Sequence, residues 1–167
     1  EFADIITTQN MNPSGTYKGT QYDYGWSKDG WPASSMYNFI NNDIYNALPS
    51  ELKNVIIDTV TVSGHGSEDT ENFISTDKLY LLAPREIYTD WLHDNHSSYD
   101  TAKDLTRTLD YYTAQGVTII NYSEAIKNNG SSSYWWWLRA AILSNYYYFY
   151  YVNTNGYCGN DRPNIIY

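Results

Sequence analysis

Two aromatic runs near the C-terminal end restrict this chain more than any other feature. "YWWWLR" spans residues 134–139, and five of the six residues from Tyr146 to Tyr151 are tyrosine. "YWWWLR" and "FYYV" (149–152) read as β-strands, because bulky rings fit a pleated surface. Side chains alternate along a strand, so Trp136 points opposite to Trp135 and Trp137, and at least one of those faces belongs in the core. If 146–151 is extended, about half of its rings face outward. A sheet that buries both faces favours Val, Ile and Leu over phenols, each of which needs a hydrogen-bond partner. An exposed aromatic patch is therefore expected, and such patches mark interaction sites. Arg139 ends the first run and calls for an acid or backbone carbonyls as its partner.

The rest of the chain predicts an α+β domain with short antiparallel strands and two main helices. Residues 1–33 read as short strands and loops. Ser34 or Ser35 can cap a helix over 35–48, where Met36, Phe39, Ile40, Ile44 and Leu48 fall near helical spacing. Pro49 ends it, and "PSELKN" adds a further turn. Alternation predicts a strand over 55–62, followed by a polar loop over 63–72. A short apolar strand is expected at 78–84, then a helical turn in "PREIYTDWL". Thr101, Asp104, Leu105, Leu109, Tyr112 and Gly116 predict the second, capped helix. "VTII" reads as a strand, "SEAIKNNG" as a short helix closed by Gly130, and Gly156 as a turn between strands. Neither βαβ alternation nor an internal repeat is visible. At 167 residues the chain reads as one domain, 1–167, excised from a longer protein.

Charge and motifs narrow the function. A net charge of −9 argues against a nucleic-acid partner, because phosphate contacts need Lys and Arg. No apolar run reaches membrane-spanning length, so direct membrane insertion is not expected. Cys158 is the single cysteine, which excludes an internal disulfide framework and a cysteine-based zinc site. His93 and His96 flank Asp94 in "HDNH", but no third ligand lies at a recognisable spacing. Glu68, Asp69 and Glu71 lack the spacing of a calcium loop. There is no G-x-S-x-G, phosphate loop or H-E-x-x-H. No metal, cofactor or catalytic constellation is assigned, and the chain is not expected to be an enzyme.

The segment 139–167 has a peculiar vocabulary. It contains no Lys, Glu, Gln, Met or Trp, types that make up about 17% of the first 138 residues. Chance absence over such a length is roughly a one-in-two-hundred event at ordinary usage. Those five types cannot arise when only the two adenines of an AAC or AAT asparagine codon change. The residues that do occur can. Tyr, Ser, Asn and Gly are also the vocabulary of antibody paratopes, where Tyr gives large contact area at low entropy cost.

This pattern is similar to the variable proteins of diversity-generating retroelements, of the phage major tropism determinant type. Those elements miscopy the adenines of an Asn-rich template into the 3′ end of a target gene. Their targets use a C-type-lectin-like fold related to formylglycine-generating enzymes. Most of the chain also resembles an uncharacterised domain family of gut bacteria and their prophages. The matching elements are Gly30–Trp31; Asn41 and Asn42 with Leu48–Pro49; Asp77, Leu79, Leu81, Leu82 and Glu86; and Trp136–Arg139. Ala83 and Ala140 stand where that family has Ser, and its closing "G-V-x-P-x-F" is absent.

The resemblance implies that Trp136, Trp137, Leu138, Arg139, Phe149, Val152 and Gly156 are scaffold. The display positions would be Ile142, Leu143, Asn145, Tyr146, Tyr147, Tyr148, Tyr151, Thr154, Tyr157, Cys158, Gly159, Asn160, Asp161, Arg162, Asn164, Ile165, Ile166 and Tyr167. Tyr146, Tyr148, Tyr151, Tyr157 and Tyr167 would form the centre of the surface. The implied role is recognition of a protein or glycan on a cell surface, by a phage tail adhesin in the virion or a bacterial surface protein. Two rival readings are open: a carbohydrate-active enzyme or carbohydrate-binding module with Tyr and Trp platforms, and a structural domain whose Tyr face meets a sister subunit in a homo-oligomer.

Overall fold

The structure, a computed structural model, describes residues 27–162, and of Ser35 the backbone alone. The expectations for residues 1–26, and for Asn164, Ile165, Ile166 and Tyr167, lie outside the described residues. Among the described residues the fold is mixed α+β, with short helices and three small antiparallel sheets.

The expected first helix is present, in pieces. After α1 (Gly30–Ala33), α2 (Ser35–Asn38) runs through a π-helical stretch, Phe39–Ile44, into α3 (Tyr45–Ala47). Ser34 caps α2: its hydroxyl accepts from the Tyr37 amide at 3.0 Å. Met36 and Ile40 are buried, while Phe39, Ile44 and Leu48 are half-buried. The expected extra turn is α4 (Ser50–Lys53).

The predicted strand over 55–62 starts later. Here β1 (Thr59–Ser63) pairs with β2 (Phe73–Asp77), and Val55 and Ile57 are exposed. The β1–β2 ribbon buries its polar side. Thr61 and Ser75 donate to Asp77 at 2.6 and 3.0 Å, and the Trp31 indole donates to the same carboxylate oxygen at 3.0 Å. Val60 and Ile74 face outward.

Several local expectations are corrected. Residues 78–84 are not a strand; they run into α5 (Pro84–Ile87), the expected helical turn. The second main helix shrinks to α6 (Asp110–Ala114). Thr101 is occupied elsewhere, its hydroxyl accepting from the His65 amide and donating to Asn72, so it caps nothing. "VTII" forms no strand. "SEAIKNNG" contains one 3-10 turn, Ser123–Ala125, then β3 (Lys127–Asn129), hairpinned to β4 (Ser132–Tyr134). Gly130, at φ 61°, opens the two-residue turn Gly130–Ser131, and a Gly-Ser pair between strands is a hairpin signal.

The third sheet has the order β5 (Trp136–Ala141), β6 (Phe149–Val152), β7 (Cys158–Asp161). It lies between two apolar clusters. Leu138, Ala140, Ile142, Tyr150, Val152 and Cys158 join Ile87, Tyr88, Trp91, Tyr112 and Val117 on one side. Trp135, Trp137, Ala141 and Phe149 join Trp31, Met36, Ile40 and Leu81 on the other. The tryptophan alternation is as expected, with Trp136 packing against the first cluster. The expectation for the tyrosine strand is overturned, because the sheet buries both faces. Tyr150 is tolerated inside because its hydroxyl donates to the His96 carbonyl at 2.8 Å. Among the described residues no helix is long and apolar enough to cross a membrane.

Candidate functional site

The site is built from the C-terminal sheet outward, beginning with its anchors. A register shift in β5 sets Trp137 against Tyr151 and Ala141 against Phe149, so β5 bulges around Arg139. The bulge sends the Arg139 amide to the Leu82 carbonyl at 3.0 Å and the Ala141 amide to the Gly64 carbonyl at 3.1 Å. The guanidinium is fully buried and every donor is used. It makes a bidentate pair with Glu86 at 2.6 and 2.7 Å, and bonds the carbonyls of Leu81 at 2.7 Å and Val62 at 3.1 and 3.2 Å. Glu86 also accepts from the Ala83 amide at 2.9 Å. The partner required by Arg139 is thus an acid together with carbonyls.

The remaining scaffold positions are internal except for Trp136. Trp137, Leu138, Phe149 and Val152 are at most 1% exposed, and Trp136 is half-buried with its indole on the Ala125 carbonyl at 3.2 Å. Gly156 has φ 92°, and a Cβ there would lie 2.0 Å from the Tyr122 carbonyl oxygen, so only glycine fits.

Beneath the sheet sits Asp100, which accepts from the Trp91 indole at 2.9 Å and the Ala102 amide at 3.1 Å. Burial pushes its carboxyl up to about 6, against hydrogen bonds from Trp91 and Ala102 that pull the other way. An acid whose pKa is raised by folding stabilises the fold fully below its unfolded value, near 4, and loses that contribution as pH climbs to about 6. A rise of that size is worth about 3 kcal/mol, or roughly 6–12 °C of melting temperature. Measured from pH 4 to pH 7, the melting temperature of the parent should fall relative to that of Asp100→Asn by about that amount. A constant difference between the two proteins would show that Asp100 does not carry this term.

The display positions divide. Leu143 and Thr154 are exposed, and Asn145, Tyr146, Tyr147, Tyr148, Tyr151, Tyr157, Gly159, Asn160, Asp161 and Arg162 are partly accessible. Ile142 and Cys158 are corrected: both are core residues of the first cluster, at 3% and 4% exposure. Burial raises the Cys158 thiol well above its ordinary range, as do Asp100 and Asp94, so it is not a reactive surface group.

The tyrosines do not share one face. Tyr146, Tyr147 and Tyr148 precede β6 and pack edge to face, with centroids 4.3 and 4.8 Å apart. The Arg162 guanidinium lies 4.6 Å over the Tyr147 ring. Hydrogen bonding from Asn145, then from Arg162, lowers the Tyr147 phenol. Tyr151 lies on the second-cluster side against Trp135 and Trp137, its ring over Gly159, and burial raises its phenol. Tyr157 packs against Tyr122 and His96, its hydroxyl 3.3 Å from the His96 Nδ1.

Sequence reasoning missed His96, Tyr122 and Tyr99 as neighbours of this surface. Asp94 caps the 3-10 turn Asn95–Tyr99, holding the His96 amide at 2.7 Å and its ring nitrogen at 3.1 Å. The Tyr99 carbonyl accepts from the Leu143 amide at 3.0 Å. "HDNH" was visible, but its tie to Tyr157 spans 61 positions and has no local signal. His93 is exposed, and among the described residues no three His, Cys, Asp or Glu side chains gather into a metal-binding group.

These features define a small α+β domain that anchors an aromatic C-terminal sheet in its centre and leaves the connecting turns accessible. The chain belongs to the family described as domain of unknown function (DUF6273), whose model matches residues 4–164. No curated protein and no solved structure matches it.

Proposed function

We propose that this domain is a ligand-binding module of C-type-lectin-like architecture. Its C-terminal segment from Arg139 onward presents a diversified surface to a partner on a cell surface. The setting is a phage tail adhesin or a bacterial surface protein. One observation carries the reading: buried anchors and accessible residues interleave within the segment of restricted vocabulary. Arg139, Phe149, Val152 and Gly156 are held inside, while residues 143–148, Thr154, Tyr157 and 159–162 reach the surface. Accessible residues can change identity without disturbing what holds them.

Two measurements test this. The coding DNA should have a nearby copy of the segment that differs mainly at adenines, beside a reverse transcriptase gene. Replacing Tyr146, Tyr157 and Asp161 together with Asn should lower stability by no more than about 1.5 kcal/mol, since surface substitutions stay near ±0.5 each. That is roughly 3–6 °C in melting temperature. A fall of tens of degrees would make these residues core and remove the display reading.

The stacking platform of a carbohydrate-active protein is the weaker alternative. A sugar ring needs an open aromatic face, whereas Tyr146–Tyr148 turn edges to one another and Arg162 covers the Tyr147 ring.

A further inference from the structure

Among the described residues the β1–β2 ribbon has an open edge on the β1 side. The carbonyls of Val62 and Gly64 point away from β2, to the Arg139 guanidinium and the Ala141 amide. Main-chain groups alternate sides along a strand, so the N–H and C=O of Val60 and the N–H of Val62 share that edge. Among the described residues none of these three groups has a partner beyond the strand. Val60 is itself 68% exposed.

A groove of about 210 Å³ runs along this edge. Val60 and Val62 form one wall, and Leu105 and Thr106 belong to the other. Among the described residues the Thr106 hydroxyl has no partner, but it lies out of solvent reach. The groups seeking hydrogen bonds at the groove are therefore the main-chain groups of Val60 and Val62, and its other lining includes Tyr80, Glu86, Leu109 and Arg139. A compact apolar molecule would leave all of them unsatisfied, at a cost for each buried group. An extended chain carries donors and acceptors on both its edges at the strand spacing.

The charged groups lining the groove are paired, Arg139 with Glu86 at 2.6 Å and Arg107 with Asp110 at 3.2 Å, and give no preference for a charged partner. We infer that β1 is a strand-accepting edge: it binds an extended, uncharged peptide segment of another protein by β-augmentation, with an aliphatic side chain seated in the groove. This site is independent of the C-terminal surface.

The test uses the whole 15N-labelled chain and an acetylated, amidated hexapeptide of alternating Thr and Val. At peptide ten times above its Kd, exchange of the Val60 and Val62 amides should slow by about tenfold. The same peptide N-methylated at alternate residues should have no effect. Val60→Pro should abolish binding and still fold, because the lost N–H faces outward. Should that variant fail to fold, Leu105→Lys, at a position 61% exposed, should weaken the peptide without touching the β1–β2 ladder. Unchanged exchange at millimolar peptide would overturn the proposal. So would protection insensitive to peptide, which places another segment of the same chain on the edge. Protection that grows with protein concentration would assign the edge to a second copy and overturn it as well.

Discussion

Arg139→Ala should be among the most damaging single substitutions in the molecule, at about 3–5 kcal/mol. The change removes a guanidinium that is 0% exposed and leaves Glu86, only 8% exposed, as a buried charge without its counter-ion. The carbonyls of Val62 and Leu81 lose their donor in the same step. A domain of this kind has about 5–15 kcal/mol of stability in all, so the variant should unfold at a much lower urea concentration. The physical cause can be separated from simple loss of volume. Arg139→Met with Glu86→Leu removes both charges and keeps an apolar fill, so it should recover much of the loss. An Arg139→Ala midpoint equal to that of the parent would mean that the ion pair contributes nothing. No recovery in the double variant would move the cost to the orphaned carbonyls.

Trp137→Ala should cost a similar amount, about 3–5 kcal/mol, for a different reason. Its ring is 1% exposed and meets Trp135 and Tyr151 edge to face at 5.2 and 5.8 Å. Among the described residues its indole N–H has no hydrogen-bond partner, so the loss is one of packing. Trp137→Phe should accordingly cost little, about 1.5 kcal/mol or less, since it keeps a ring and removes an unsatisfied donor. Urea unfolding of the two variants side by side checks the contrast. Equal losses for Ala and Phe would show that the N–H, and not the ring, is what the core requires.

What could be read from the sequence was local. The α2–α3 helix, the Ser34 cap, the strand at 149–152 and the turn at Gly156 each follow from a few adjacent residues. The need of Arg139 for a partner followed from its position beside the tryptophans. That the acid is Glu86, 53 positions away, could not be read, because no period connects a strand residue to an ion-pair partner on a distant helical turn. The same limit explains the error about the tyrosine strand. A phenol looks costly inside until the backbone carbonyl that accepts its hydrogen is known, and for Tyr150 that carbonyl belongs to His96. The long second helix failed because the Thr101 hydroxyl was spent on the loop 63–72. Among the described positions of 139–162, Ile142 and Cys158 read as accessible in the sequence, and the packing that draws them into the first cluster comes from distant parts of the chain. The β3–β4 hairpin was open to prediction from its Gly130–Ser131 pair, and the helical reading of "SEAIKNNG" passed over it.

The position of β5–β6–β7 between two apolar clusters also bears on how the chain is made. Synthesis runs from the N-terminal end, and β6 and β7 are the last described strands to emerge. Until they do, Trp31, Met36 and Ile40 on one side and Tyr88, Trp91 and Tyr112 on the other lack their common wall. A nascent chain therefore holds two unfinished interiors and closes both in a single late event. A sequence change that keeps β6 from pairing leaves both open together, so a defective C-terminal segment yields a molecule exposed to proteases and chaperones. Such coupling would make the cell's own quality control a filter on sequence changes in that segment.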